Sequence, residues 1–472
     1  MNYLTKMKNN IIIFFLLICH SGFSQIKLTG NEDTIAFNNF KFRHPMTVTS
    51  SEEISIVKDR IEKGIEPQAT AFKALILAAN SQQYFIPNPP DTMNIISGKD
   101  SGDDKNTLEM RVPLWNNCSA AYTSALAYTY TGEPKYAKKA IEVLNAWARK
   151  GTVFSGNGRY LQIGAWFTPM LYAADLLYYY NGWSTEDRAV FRKWWSEQCL
   201  VNTHEIMVTK LNNFKDAGIL GTMASSIVFE DKNLLEKSLN ELLLSFQVNP
   251  LADSKYRSWK MKNDTNGVYL TLEVDRNLGR SGLTYTLLSM TTTVQNLEMA
   301  RYAGYNFWTA KTPQGANYQG VIEQCFKWSV QGEPFPWYTN PDNDKTLQVN
   351  SYEIANSNCS LPTSMKDWLN ANRPVQGSQG DEYVTLNKGN IFNYTVSGIG
   401  EIKTENIQLF RKDSGVFNIK LLNNLALELV IYNKLGMNIK QFVLNPGDNL
   451  IRFPEKDFFI VRIGQNSYKI LT

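Results

Sequence analysis

Apolar residues return at three- and four-residue spacing through most of the chain up to about residue 372, and this pattern predicts helices. The first runs over 51–82, with Ile54, Val57, Ile61, Phe72, Leu75 and Ile76 on its apolar side. A loop rich in Pro, Asn, Gly and Asp over 86–107 separates it from the rest. Helices are then predicted over 118–131, stopped by Gly132, and 134–149, opened by Pro134 at a position where its missing N–H costs nothing. Further ones follow over 164–181, 184–206, 213–229, 231–247, 283–303, 317–331 and 363–371. Ser184-Thr-Glu-Asp187 forms a capping box at one of these starts. The linking loops are short, strand-like alternation is scarce, and no strict repeat period is visible. The predicted fold is therefore mainly α: an α/α toroid, or incomplete α/α barrel, over 25–371.

The pattern changes near Arg373-Pro-Val-Gln-Gly-Ser-Gln-Gly380. Alternation with period two appears at Val416-Phe-Asn-Ile-Lys, Leu427-Glu-Leu-Val-Ile-Tyr, Leu450-Ile-Arg-Phe and Phe459-Ile-Val-Arg-Ile, with Gly, Asn and Pro between. Residues 405–472 read as a small antiparallel β-sandwich domain, and 372–404 as a linker or extra β-element.

One stretch concentrates chemistry. Glu273-Val-Asp-Arg276-Asn-Leu-Gly-Arg280-Ser-Gly-Leu-Thr-Tyr285 holds two acids, two arginines and a tyrosine, and Gly279 and Gly282 predict a turning backbone. The helix after it carries Leu287, Leu288, Val294, Leu297, Met299 and Ala300 on one broad apolar side. An arginine-rich loop feeding a buried helix can hold an anion against a phenol. The plainer alternative is a helix N-terminus with an ordinary salt-bridge cluster.

Composition narrows the options. The 12% aromatic content, including 11 Trp and 23 Tyr, suits a helical core and also a sugar-binding groove. A formal charge of +4 is too balanced for a nucleic-acid binder. Lys6 and Lys8 before Ile11-Ile-Ile-Phe-Phe-Leu-Leu-Ile18, with small residues at Gly22 and Ser24, read as a signal peptide over 1–24 cleaved before Gln25. Cys19 offers a lipoprotein alternative, although Ile18 suits a lipobox poorly. Cys118, Cys199, Cys325 and Cys359 are scattered, and only His44 and His204 survive processing, so neither a metal site nor a cofactor is expected. Pairing among the cysteines is open.

Several stretches, taken in order, resemble the alginate lyase superfamily of secreted polysaccharide lyases. They are His44-Pro45 with Ile61-Glu-Lys-Gly-Ile-Glu-Pro67; Ala125-Leu-Ala-Tyr128 with Thr131-Gly-Glu-Pro-Lys-Tyr-Ala137 and Ile141-Glu-Val-Leu-Asn-Ala-Trp147; Leu211-Asn212-Asn213; and Glu273…Arg280…Tyr285 with Gly304-Tyr-Asn-Phe-Trp308. Phe214 stands where the family commonly has histidine after its paired asparagines. The later motif departs from one subgroup's Gly-Arg-Asp-x-x-His, and Tyr285 stands where the other subgroup has tyrosine. The C-terminus resembles the type IX secretion sorting domain at Gly415-Val-Phe-Asn-Ile, Val430-Ile-Tyr-Asn-Lys-Leu-Gly436, Asn445-Pro-Gly-Asp-Asn-Leu-Ile451 and Tyr468-Lys-Ile-Leu471, without the strongly basic end; the alternative is an accessory β-sandwich.

The resemblance implies β-elimination on a uronate polymer, with Tyr285 as base and acid and Arg280, Asn212 and Asn213 neutralising the carboxylate. Arg276 either joins Arg280 or binds a neighbouring uronate. Trp115, Asn117, Asn157, Tyr160 and Trp166 read as groove residues. His204 reads as a core or surface histidine more readily than a site residue, and His44 as structural. The implied partners are an anionic polysaccharide and the type IX machinery, and the implied state is a secreted or outer-membrane-surface monomer. Two rivals stay open. One is a non-catalytic uronate binder of the same fold, which Phe214 makes credible. The other is an α/α-barrel glycoside hydrolase, which would need two carboxylates across the bond, whereas Glu273 and Asp275 are better placed to orient arginines.

Overall fold

In the computed structural model, the described residues are 26–28, 34–37, 40–96, 106–244, 282–311, 315–335, 350–377, 379–391, 401–403, 407–413, 416–422, 426–432, 438–453, 458–463 and 466–471. The chain divides into two compact units, Met1–Phe392 and Asn393–Thr472. It is mainly helical, with small sheets.

The helices of the first unit are α1 Ser51–Glu62, α2 Gln68–Gln82, α3 Val112–Thr131, α4 Pro134–Lys150, α5 Pro169–Leu176, α6 Thr185–Trp195, α7 Val201–Thr209, α8 Asn213–Val228, α9 Lys232–Leu243, α10 Gly282–Tyr302, α11 Tyr318–Ser329, α12 Asn350–Asn358, α13 Thr363–Asn372 and α14 Val384–Lys388. Two short parallel pairs accompany them: β1 Ile26–Lys27 with β4 Tyr305–Asn306, and β2 Thr92–Asn94 with β3 Val153–Ser155. Local chemistry sets the boundaries. Gly132 ends α3 in the left-handed conformation, at φ 71°, and returns its N–H to Tyr128 O. Ser184 caps α6 by accepting from the Asp187 N–H at 3.1 Å. The helix predicted over 51–82 is two helices, because Gly64 takes a left-handed φ of 65° between them.

Helix α10 differs from its sequence pattern. It is buried on nearly every side, with Thr286, Ser289, Thr291, Thr292, Thr293, Gln295, Asn296, Glu298 and Arg301 enclosed along with the apolar residues. Neighbouring helices α8, α11 and α12 supply the partners. Helix α12 is wholly buried and mostly polar, and its sequence gave no apolar stripe to predict it.

The segment expected as a linker belongs partly to the helical unit. Arg373 pairs with the buried Glu353 at 2.8 Å. Arg60 donates to Gly389 O at 3.0 Å, and Tyr122 to Asp381 Oδ1 at 2.7 Å. Lys388 of α14 reaches Glu53 Oε2 of α1 and Glu298 Oε2 of α10, each at 2.7 Å. Arg301 meets the same two carboxylates at 2.6 and 2.7 Å. The cluster holds two acids and two bases, and Asn358 of α12 and Trp308 donate to Glu298 as well. Burial opposes ionisation of Glu298, but Arg301 and Lys388 win and hold its carboxyl down at about 2. This buried network ties the first and last helices of the unit to its centre.

The four cysteines among the described residues, Cys118, Cys199, Cys325 and Cys359, are buried and unbridged. Burial pushes the Cys118 and Cys199 thiols far above their ordinary range, so they are poor nucleophiles.

In the second unit the strands β5 Glu401–Lys403, β6 Ile407–Asp413, β7 Val416–Leu421, β8 Leu427–Tyr432, β9 Asn438–Leu444, β10 Gly447–Arg452, β11 Phe458–Ile463 and β12 Asn466–Leu471 form two antiparallel sheets. Their orders are β10-β7-β6-β5 and β12-β11-β8-β9. Alternate residues from both sheets, among them Phe417, Ile419, Leu429, Ile431, Ile451, Val461 and Ile463, make one apolar core.

Candidate active site

The site is built where α8 begins. Asn212 caps that helix, its side-chain oxygen accepting from the Phe214 N–H at 3.3 Å. The cap leaves the Asn212 side-chain N–H2 to donate elsewhere. Asn213 is the first helical residue and is 2% exposed. Phe214 packs with Tyr160, Leu161 and Trp166 over Ala165, Ile206 and Ala217, so this position makes an apolar contact. Lys215, also buried, donates to Met207 O at 2.7 Å and pairs with Glu241 at 2.5 Å.

Glycines bring the neighbouring wall close. A Cβ on Gly164 would lie 2.6 Å from Ala217 O, and one on Gly218 would lie 2.5 Å from Met207 N. The wide turn Gln162–Phe167 and helix α7 therefore press directly on the first turns of α8. That contact sets Leu161, Ala165 and Trp166 beside Asn213. They line a small, open pocket, completed by Leu288 and Thr292 of α10 and by Gln379. Tyr285 lies one turn before Leu288 on the same helix, and both are half-buried, as is Thr284.

Only some of the remaining predicted residues meet at the pocket. Trp166 and Asn213 share the pocket. Trp115 is held next to it, its Nε1 donating at 2.9 Å to Gln162, the residue after Leu161. Asn117 is buried on α3 with its Nδ2 donating to Pro113 O at 2.8 Å. Tyr160 stands in a polar cluster at the end of the same wall. Arg159 lies over its ring at 4.0 Å and donates to its hydroxyl at 2.6 Å, and that hydroxyl faces both Glu205 oxygens at 3.2 Å. Burial, with Glu205 beside it, pushes the Tyr160 phenol upward against the pull of Arg159. Asn157 is exposed in the preceding loop. His204 lies on α7 with Nε2 2.8 Å from Lys237 Nζ of α9, and burial together with Lys237 holds its imidazole neutral to lower pH than usual. It is not among the pocket's lining residues. Arg276 and Arg280, with Glu273 and Asp275, lie outside the described residues.

Sequence reasoning missed Gln379 and the loop that carries it. Gly380 there has φ 71°, and a side chain on it would collide with Gln295. Gln295 Nε2 and Asn350 Nδ2 both donate to Gln379 O, at 3.2 and 3.0 Å, and Gln295 Oε1 accepts from the Asp381 N–H at 3.0 Å. Two residues after that glycine, Glu382 accepts from Ser119 of α3 at 3.0 Å, and burial pushes its carboxyl up to about 7. The only sequence signal was the Gly-Ser-Gln-Gly run itself, which reads as a linker.

A model of the alginate lyase family matches residues 77–337, more than half of the chain. The chain therefore belongs to the alginate lyase family and is a polysaccharide lyase. Among solved structures it is similar to alginate lyase A1-III from Sphingomonas species A1, at 13% identity and a TM-score of 0.53, covering 68% of this chain and 93% of that one. A tyrosine-to-phenylalanine variant of A1-III complexed with tetrasaccharide matches at 13% identity and TM-score 0.51, over 64% and 84% of the two chains. An alginate lyase from Bacteroides ovatus matches at 17% identity and TM-score 0.49, over 73% and 95%. No curated protein matches the sequence.

Proposed function

We propose that this protein cleaves an alginate-like, uronate-containing polysaccharide by β-elimination in an α/α-toroid domain. The base removes the proton on C5, the C4–O4 bond breaks as the C4–C5 double bond forms, and the departing O4 takes up a proton. The C5 proton is only weakly acidic, because the adjacent carboxylate already carries a charge. Asn213, with Asn212 and Arg280, is assigned to neutralise that carboxylate so that it accepts the charge developing in the transition state. Tyr285 is assigned as base and acid. Phe214 removes the imidazole that would otherwise be the alternative base at that position.

The observation that carries this reading is the pocket in which Asn213 and Trp166 meet the α10 face one turn after Tyr285. It is lined by an amide and an indole, suited to a carboxylate and a pyranose ring. The neighbouring structure that holds a tetrasaccharide supports a sugar polymer as ligand. Export completes the reading: residues 1–24 act as a signal peptide, and the C-terminal unit, read as a β-sandwich, acts as a type IX sorting domain, delivering the enzyme to the cell surface or medium. The test is a panel of polymannuronate, polyguluronate, glucuronan and glycosaminoglycan-like polymers incubated with purified protein. Product with the ultraviolet absorbance of a conjugated C4–C5 double bond is expected from at least one. Reducing ends released without that absorbance would instead mark a hydrolase, and binding without cleavage a lectin-like protein of the same fold.

A further inference from the structure

Gln379 is 3% exposed and lines the pocket, yet its side-chain oxygen has no hydrogen-bond partner among the described residues. Buried polar atoms are nearly always paired, because leaving one unpaired sacrifices its hydration for nothing. Nor is this a slack residue in a loose loop. Its own carbonyl is clamped by Gln295 and Asn350, and Gly380 and Asp381 are fitted around Gln295. The fold thus holds an unsatisfied acceptor in a firmly held residue that lines the pocket. Gln379 also lies beyond the residues that the family model matches, 77–337.

We propose that Gln379 is a substrate-contact residue whose side-chain oxygen accepts a hydrogen bond from a ring hydroxyl of the uronate bound in the pocket, making it a determinant of which uronate polymer is cut. The inference rests on the lyase reading above. A carbonyl oxygen cannot bind the uronate carboxylate, which at neutral pH has no proton to give; the donors on such a sugar are its C2 and C3 hydroxyls. Those hydroxyls differ in direction between mannuronate, guluronate and glucuronate rings, so a fixed acceptor pairs well with some and poorly with others. A site built to hydrogen-bond a hydroxyl discriminates strongly, since the wrong sugar leaves buried polar groups unpaired.

The experiment compares wild type with Gln379→Leu, which keeps similar bulk and removes the acceptor. Three readouts are taken: Tm, kcat and KM by ultraviolet product on each polymer, and binding of mannuronate, guluronate and glucuronate tetrasaccharides by tryptophan fluorescence. The expected result is a fall in kcat/KM of about 10- to 100-fold on the preferred polymer, a smaller fall on the others, and matching loss of tetrasaccharide affinity. Tm should be unchanged or higher, because the substitution removes an unpaired buried oxygen. Unchanged kcat/KM and affinity would overturn the proposal and leave the lyase reading standing. A lowered Tm with equal loss on every polymer would make Gln379 a packing residue and overturn it too. A wild type that neither cleaves nor binds any of the polymers would overturn the lyase reading and this inference together.

Discussion

Replacing Lys388 by Met tests whether the buried charge network holds the helical unit together. Met keeps the length and most of the volume of the side chain, so the change is chiefly the loss of one charge. Lys388 Nζ lies 2.7 Å from both Glu53 Oε2 and Glu298 Oε2, and the side chains of these three residues are 1%, 2% and 3% exposed. With Arg301 the group is neutral; without Lys388, two carboxylates share one guanidinium in the core. Breaking a buried pair in this way costs about 3–5 kcal/mol, because the remaining charge cannot recover its hydration. That is a large fraction of the ~5–15 kcal/mol that stabilises a typical domain. Urea unfolding of the full chain, followed by tryptophan fluorescence, reports the helical unit, since all 11 Trp lie within 1–392. Adding Glu53→Gln to Lys388→Met should recover part of the loss by restoring charge balance. A loss below about 1 kcal/mol, or strictly additive effects in the double variant, would refute the reasoning, since groups in one network couple.

Two further outcomes are expected. Glu382 holds its proton up to about 7 in the folded chain, against an ordinary 4.5, so the folded state binds that proton more tightly than the unfolded one. Its contribution is therefore most favourable below about pH 4.5 and is lost as pH rises toward 7; Glu382→Gln should flatten that decline and stabilise the protein at pH 8 by at most about 3 kcal/mol, read from Tm against pH. For export, mass spectrometry of protein from the native culture medium should find a chain beginning at Gln25 and lacking roughly its last 70 residues, a span set by the strand pattern; an intact C-terminus on a periplasmic protein would contradict sorting by that domain.

Most of the helical framework was legible because its signals are local. Ser184, Asn212, Pro134 and Gly132 act through their own backbone neighbourhood, and the helices they bound appear within a few residues of expectation. The wider misreadings share another cause. Helix α12, Asn-Ser-Tyr-Glu-Ile-Ala-Asn-Ser-Asn, is buried through side-chain hydrogen bonds to distant elements, and no hydropathy pattern records those. The tail 373–391 looked like a linker because its glycines suggest a turn; they are there because Gln295, Asp381 and Thr385 come too close for a side chain. In the site, Asn213 was singled out from the Leu-Asn-Asn run and Trp166 as a groove aromatic, and both line the same pocket. Gln379 was not, because its place depends on a contact between the end of the helical unit and α10. The Tyr160 and His204 side chains are engaged with Arg159 and Glu205, and with Lys237, partners that lie on neighbouring turns and helices.

The most direct test of the central claim is turnover by Tyr285→Phe, followed by ultraviolet absorbance on the preferred polymer, beside tetrasaccharide binding. The substitution keeps the ring and removes the oxygen assigned to take the C5 proton and to return one to O4. The account predicts a loss of at least ~10²–10⁴-fold in kcat with binding largely retained, the scale of one general acid–base step. Arg280→Ala should differ by weakening binding as well, since the proposal assigns it to the ground-state carboxylate. Near-normal kcat in Tyr285→Phe would contradict the account and move the base to another residue.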